Sequence, residues 1–161
     1  MNTIRRASIQ DASIVGSLAC QLWPENPLEE MEEEFASLLS RADAAIFLVE
    51  REGEAIGFAQ CQLRRDYVEG TGSSPVGYLE GIFVREEYRR RGVAKRLLAE
   101  CEAWAGDLGC TEFASDCELT NNESFRFHLA LGFLEANRII CFTKKMERRN
   151  DLRNHYPPNS H

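Results

Sequence analysis

The chain has 161 residues, 43% hydrophobic and 28% charged, which is the balance of one soluble globular domain and leaves no room for a second full one. Its 19 Lys and Arg stand against 26 Asp and Glu, a net charge of −7; residues 144–155 hold five basic and two acidic side chains, so residues 1–143 carry −10. Binders of phosphate backbones concentrate positive charge, so a nucleic-acid partner is excluded in favour of a cationic small molecule.

No run approaches the roughly 18 consecutive apolar residues of a membrane helix, and Arg5 and Arg6 lead into Ser8, Gln10 and Asp11 rather than an apolar signal core, so a cytoplasmic chain without a membrane partner is expected. The six cysteines (Cys20, Cys61, Cys101, Cys110, Cys117, Cys141) are scattered through apolar segments with no C-x-x-C pair, which predicts reduced, mostly buried thiols and no metal.

Thr3 to Arg6 reads as a short first strand. Ser8, with Asp11 three residues on, reads as the cap of a helix carrying Ile14, Val15, Leu18, Ala19 and Leu22 on one face and stopped by Pro24. A second helix is predicted from Leu28 to Ser40, with Leu28, Met31, Phe35, Leu38 and Leu39 inward and a row of glutamates outward. Ala44–Glu50 and Ala55–Leu63 are apolar runs separated by Arg51-Glu-Gly-Glu, the pattern of an antiparallel hairpin of central strands. Residues 66–77 (DYVEGTGSSPVG) are a loop. Tyr78–Arg85 is the next strand, and Gly92 to Asp107 a long helix with Val93, Leu97, Leu98, Cys101, Trp104 and Ala105 on its inner stripe.

Thr111–Asp116 is predicted as a fifth strand, and Thr120-Asn-Asn-Glu123 as a capping box opening a helix through Leu131. Phe133–Glu135 and Asn137–Lys145 are expected to complete a mixed sheet in the order βααβββαβαβ(β), with a right-handed parallel crossover through residues 78–116. The fold class expected is therefore α/β (α+β): a central, mixed, mostly antiparallel twisted sheet of six to seven strands with about four helices. One domain over residues 1–146 is expected, followed by a loose tail at 147–161.

Arg89-Arg-Arg-Gly-Val-Ala-Lys95 lies between a strand and a helix whose first turn has no side chain at Gly92 and only a methyl at Ala94. The free N–H groups of a helix N-terminus favour a pyrophosphate there, and cations at that end oppose the helix dipole unless an anion sits between them. The alternative is an exposed basic turn on an acidic protein. Glu80 interrupts an otherwise apolar strand and Asp116 ends the neighbouring parallel one, so both can face the crevice beyond the strand ends.

Arg89-x-x-Gly92-x-Ala94, following Leu79-Glu-Gly-Ile-Phe-Val84, resembles the acyl-CoA signature of the GNAT superfamily of N-acetyltransferases, and Asn121 to Phe133, ending in Leu-Gly-Phe, resembles its later helix and strand. The resemblance covers about residues 3–146 and implies the GNAT fold. Trp23-Pro24, Arg65-Asp66-Tyr67-Val68, Ser73-Ser74-Pro75-Val76, Leu79 to Val84, Arg91-Gly92-Val93-Ala94-Lys95 and Ala114-Ser115-Asp116, in that order, are similar to the aminoglycoside 6′-N-acetyltransferases.

That resemblance implies acetyl-CoA as cosubstrate, held by the Ile82, Phe83 and Val84 backbone and, at its pyrophosphate, by Arg89, Arg90, Arg91, Gly92, Val93, Ala94 and Lys95. Asn121 matches a side-chain contact to the CoA arm, and equally a helix N-cap. On the substrate side it implies Glu80 and Asp116 for recognition of the amine, with Asp116 taking its proton, and an aromatic wall of Trp23 and Tyr67. The alternatives are an ion pair with an arginine for Glu80, a turn or cap for Asp116, and packing for the two aromatics. Asn26 is a further candidate on the Trp23 loop.

Two positions depart from the pattern. His128 stands where many N-acetyltransferases carry a Tyr that protonates the departing thiolate, and Asn137 where some relatives carry an acid, with Glu135 a candidate to compensate. The implied reaction is acetyl transfer to the 6′-amine of an aminoglycoside by direct attack in a ternary complex, conferring resistance, in a homodimer. The competing readings are an N-acetyltransferase of a polyamine or other small cation, and a non-catalytic acyl-CoA-binding module.

Overall fold

In the computed structural model, which describes residues 1–149, strand β1 (Asn2–Arg6) pairs antiparallel with β2 (Ala44–Arg51), β2 with β3 (Glu54–Arg64) and β3 with β4 (Val76–Val84). The two-residue β5 (Phe113–Ala114) joins β4 in parallel, giving a five-stranded sheet in the order β1-β2-β3-β4-β5. Helices α1 (Ala12–Leu22) and α2 (Leu28–Leu39) cover one face, α3 (Val93–Asp107) the other, and α4 (Asn122–Ala130) follows β5.

Because helices lie on both faces, the middle strands must be apolar at every position, and residues 44–49 of β2 are all buried. Alternate residues serve the two cores. Ala45, Phe47 and Val49 pack beneath Leu97, Cys101 and Trp104 of α3, while Ala44, Ile46 and Leu48 meet Val15, Leu18 and Phe35 of α1 and α2. The β2–β3 hairpin turns on Glu52 (φ 53°) and Gly53 (φ 79°), the paired positive φ values of a turn whose twist suits the strands.

Ser8 caps a 3-10 turn, Ile9–Asp11, that leads into α1, and its N–H donates to Asp11 Oδ2 at 2.8 Å. Asp11 is one of two buried polar side chains among the described residues; Arg5 closes on it with both Nη atoms at 2.8 Å, and this guanidinium holds its carboxyl down at about 2.

Three expectations are corrected. Residues 133–148 form neither helix nor strand, so five strands stand where six to seven were expected. A β-strand needs a neighbour for its N–H and C=O groups, and β5 is too short to supply a ladder beyond itself. Leu134, Ile139, Ile140, Phe142 and Met146 are consequently between 64% and 88% exposed. The cap of α4 is Asn121, whose Oδ1 accepts from Ser124 N at 3.0 Å, rather than Thr120. Finally, only Cys61 and Cys101 are buried; Cys20 and Cys110 are intermediate, and Cys117 and Cys141 are exposed because they lie beyond β5 and in the unpaired stretch. The expected tail from residue 150 onward lies outside the described residues.

Candidate active site

Strand β4 and β5 share only the pairs Gly77↔Phe113 and Tyr78↔Ala114. Past Tyr78 the two diverge, and β4 runs on to Val84 with an open edge. Opposite it, Gln60 pairs with Gly81 and Cys61 with Leu79, so Glu80 is the extra residue of a β-bulge. A bulge reverses which residues face which neighbour. Gly77 N–H bonds to Glu112 on the β5 side, whereas after the bulge Arg85 N–H bonds to Ile56 on the β3 side. Strand alternation then turns the backbone of Ile82 and Val84 to the open edge. Arg89 confirms this direction, its Nε donating to Val84 O at 2.7 Å.

The turn after β4 ends at Gly92 (φ 77°), a left-handed conformation that favours glycine, and nothing lies within 4 Å of where its Cβ would stand. Gly92 precedes α3 without a side-chain cap, and the first turn carries no acid, so its leading amides are offered to solvent. Arg90 also has positive φ (63°). Arg91 lies 5.9 Å from the Tyr88 ring centroid, and Lys95 is exposed. An open cavity of about 430 Å³, lined by Gln21, Phe83, Arg85, Glu86, Glu87 and Arg89, adjoins this turn.

The carboxylates gather where β4 and β5 part. Arg64 of β3 holds Glu80, with Nη2 at 2.8 Å and Nε at 3.1 Å from Oε1. The same guanidinium lies over the Tyr78 ring, 3.4 Å from Cζ to the centroid. Tyr78 Oη in turn donates to Asp116 Oδ2. Burial, and then this hydrogen bond, push the Tyr78 phenol well above its ordinary range. Trp23 reaches the cluster from the α1 side: a Cβ on Gly81 would stand 2.7 Å from Trp23 Cη2, so the missing side chain is what admits the indole against β4.

A basic, uncapped helix start beside an unpaired strand edge, with carboxylates across the gap, suits an anionic carrier with an extended arm and a cationic acceptor. The Acetyltransferase (GNAT) family profile matches residues 13–133. The chain belongs to the GNAT acetyltransferase family. It is 42% identical over 148 residues, 90% of this chain and 94% of the relative, to an aminoglycoside N(6′)-acetyltransferase type 1 of Stenotrophomonas maltophilia. It is 44% identical over 125 residues, 78% of this chain and 86% of the relative, to its namesake from Salmonella typhimurium.

Among solved structures, AAC(6′)-Iy in complex with the bisubstrate analogue CoA-S-monomethyl-acetylneamine superposes with a TM-score of 0.86 at 40% identity, covering 91% of this chain and 99% of that one. The aminoglycoside antibiotic 6′-N-acetyltransferase AAC(6′)-Ih of Acinetobacter baumannii gives 0.87 at 38%, covering 91% and 100%.

Not every expected site residue of this GNAT acetyltransferase sits with the cluster as its side chain was expected to. Phe83, Val84 and Val93 bury their side chains in the cores, which is compatible with the backbone role expected of them, but Phe83 turns its backbone to Phe58 of β3 rather than to the open edge. Tyr67 is 77% exposed and forms no wall with Trp23, which stacks edge-on to Phe58 at 6.5 Å. Asn26 is exposed, its N–H bonded to Trp23 O. Glu135 is paired with Arg138, and Asn137 donates to Glu69 at 2.6 Å.

His128 lies behind the cleft: its Nδ1 is 2.7 Å from the Ser124 carbonyl and its Nε2 2.8 Å from Ser115 Oγ. A carbonyl can only accept, so Nδ1 carries a proton, while Nε2 meets the Ser115 hydroxyl, which also reaches Leu79 O at 3.3 Å. Sequence reading missed Arg64, Tyr78, Ser115 and Glu69. The signal for Tyr78 and Arg64 was the β3–β4 register, in which Tyr78 stands opposite Gln62, two residues before Arg64. No group of three His, Cys, Asp or Glu side chains among the described residues is placed to hold a metal ion, and no described helix is long and apolar enough to cross a membrane.

Proposed function

We propose that this chain transfers the acetyl group of acetyl-CoA to the 6′-amino group of aminoglycoside antibiotics, and so confers resistance to them. The carrying observation is the open β4 edge, with an anion-ready turn at one end and the Glu80 and Asp116 carboxylates at the other. Identity of 40–44% to relatives of that name supports the choice of acceptor.

The residues present fit the cosubstrate, since the Gly92 turn leaves open space where a side chain would stand. Bound there, acetyl-CoA supplies the activated acyl group. The backbone of Ile82 and Val84 aligns the arm, with Val84 O already committed to Arg89, while the Phe83 backbone is turned to β3. Arg90, Arg91, Lys95 and the amides of Gly92, Val93 and Ala94 hold the pyrophosphate. Asn121 spends Oδ1 on its cap and keeps Nδ2 for the arm.

An aliphatic ammonium has a reference pKa near ~10 and must lose its proton before it attacks. Asp116 takes that proton, directly or through one water. Glu80, held by Arg64, orients the acceptor, Trp23 lies against the sugar, and Asn26, Glu135 and Asn137 are the further polar groups assigned to its outer rings. Rate comes from placing the two reactants, without an acyl-enzyme. His128 positions Ser115, and the leaving thiolate takes its proton from water.

The working state proposed is a homodimer in which residues 137–145 of each copy complete the other's sheet. Exposure of Ile139, Ile140 and Phe142 in the single chain supports this reading, because monomers rarely leave such a contiguous apolar stretch in water. The compartment proposed is the cytoplasm, where thiols stay reduced.

Thiol release from acetyl-CoA tests the reaction, measured with kanamycin and tobramycin, with spermidine, and with aminoglycosides that carry a 6′-hydroxyl. Release confined to the 6′-amino compounds supports the assignment; release with spermidine alone overturns it.

A further inference from the structure

Tyr78 is buried at 6% exposure, yet its polar end is neither solvated nor idle. Its ring is the platform for the Arg64 guanidinium that grips Glu80, and its hydroxyl ends on Asp116 Oδ2. One side chain therefore touches one cleft carboxylate and the holder of the other. Asp116 itself is exposed, two residues past the last residue of β5, in a stretch with no strand or helix to fix it. Among the described residues the phenol is its one hydrogen-bonded anchor, and it engages Oδ2 and not Oδ1.

We propose that Tyr78 is the positioning residue of the acceptor site, aiming Asp116 at the incoming amine through its hydroxyl and bracing Arg64 against Glu80 through its ring. The inference rests on the proposed reaction only for its kinetic arm. A loop carboxylate without an anchor samples several rotamers, and misplacement of a base costs rate rather than binding. Loss of the hydroxyl should thus be felt in kcat. Loss of the ring should be felt in the acceptor KM as well, because Arg64 and Glu80 lose their support.

The test compares the full-length enzyme with Tyr78→Phe, Tyr78→Leu, Asp116→Asn and the Tyr78→Phe/Asp116→Asn double variant, using acetyl-CoA and kanamycin. Tyr78→Phe keeps the buried ring and should fold as the parent does. It is expected to lower kcat about tenfold, as loss of one charge-assisted hydrogen bond does, with acetyl-CoA affinity and the acceptor KM unchanged. Tyr78→Leu should raise the acceptor KM in addition. The double variant should be no slower than Asp116→Asn alone, since Tyr78 acts through that carboxylate. An unchanged kcat in Tyr78→Phe, or a further loss in the double variant, overturns the proposal.

A second arm needs no turnover. Tyrosinate absorbance followed to high pH should show one late-titrating tyrosine that is missing in Tyr78→Phe and titrates earlier in Asp116→Asn. If Asp116→Asn leaves every tyrosine where it was, the contact is not made and the proposal falls. A parent enzyme that shows the late tyrosine but no acetylation of kanamycin would instead refute the proposed reaction while leaving the contact in place.

Discussion

Arg64 and Glu80 form a fork across β3 and β4, with three N–H···O contacts of 2.8 to 3.1 Å and only part of either side chain in water. The carboxylate expected to attract a polycation is therefore already neutralised by a neighbour on the adjacent strand. Its partner matters as much as its own charge.

Glu80→Gln should raise the acceptor KM more than a lost contact alone, because it leaves the Arg64 cation facing another cation. About tenfold is expected at low ionic strength, shrinking as salt screens the repulsion. The double variant Arg64→Ala/Glu80→Gln should recover part of that loss. Steady-state kinetics in a double-mutant cycle reads the coupling, and additive effects would show that the pair plays no part in binding the acceptor.

Asp116→Asn should lower kcat about a hundredfold, in the range of general-base loss, with acetyl-CoA binding by calorimetry intact. Cys117→Ser, one residue on, should keep full turnover. Loss of all acetyl transfer in Cys117→Ser would establish a covalent acyl-enzyme and end the direct-attack mechanism.

Gly92→Ala meets no atom within 4 Å, so its effect is conformational. Forcing a side chain to φ 77° costs about 1 kcal/mol, and the added methyl stands where a ligand approaches the backbone. The melting temperature should fall modestly and acetyl-CoA affinity by more than tenfold, roughly the worth of 1.4 kcal/mol. Equal affinity for parent and variant would place the pyrophosphate elsewhere.

Asp11 titrates at about 2 in the folded protein against 3.8 ordinarily, held down first by the hydrogen bonds from Arg5 and then by those from Ser8. A depressed folded value stabilises above the unfolded one and is lost as pH falls through the folded one. Asp11→Asn should thus cost about 1–2 kcal/mol at neutral pH, discounted because Arg5 is partly in water, and the difference should vanish between about pH 4 and pH 2. Denaturant melts at several pH values read it; a pH-independent cost would assign Asp11 to packing alone.

Ile140→Asp and Phe142→Asp place charge on the apolar stretch that has no strand partner among the described residues. Sedimentation should show a dimer for the parent and a monomer for the variants, with β1–β4 and the helices intact by circular dichroism. A monomeric parent would remove the exchanged strand from the proposal.

The first four strands and the four helices α1–α4 were legible because each carries a period that physical chemistry imposes: unbroken apolar runs where helices cover both faces of a sheet, as at residues 44–49, and three-to-four spacing where one face is covered, as in α3. The stretch from 133 to 148 carries apolar residues at strand-like positions, yet pattern specifies only a willingness to pair. The partner has to be there. Among the described residues of one chain it is not, and the stretch stays without regular structure.

The candidate site divides the same way. Gly92, Lys95, Glu80 and Asp116 were visible in the sequence because a glycine where a strand gives way to a helix, and an acid in an apolar strand, violate local preference and so advertise a purpose. What those residues touch was not visible. Register and one bulge across β3 and β4 bring Arg64 onto Glu80 and onto the Tyr78 ring, and divergence of β5 from β4 sets Asp116 at the Tyr78 hydroxyl.

Local sequence determined the elements, the phosphate-ready turn and the charge of the cleft, because spacing, glycine and net charge act along the chain. Tertiary structure alone decided which carboxylate is paired with an arginine, which is bonded by a buried tyrosine and which edge stays open. Those outcomes depend on residues brought together from distant positions by strand pairing, and no reading along one dimension contains that distance.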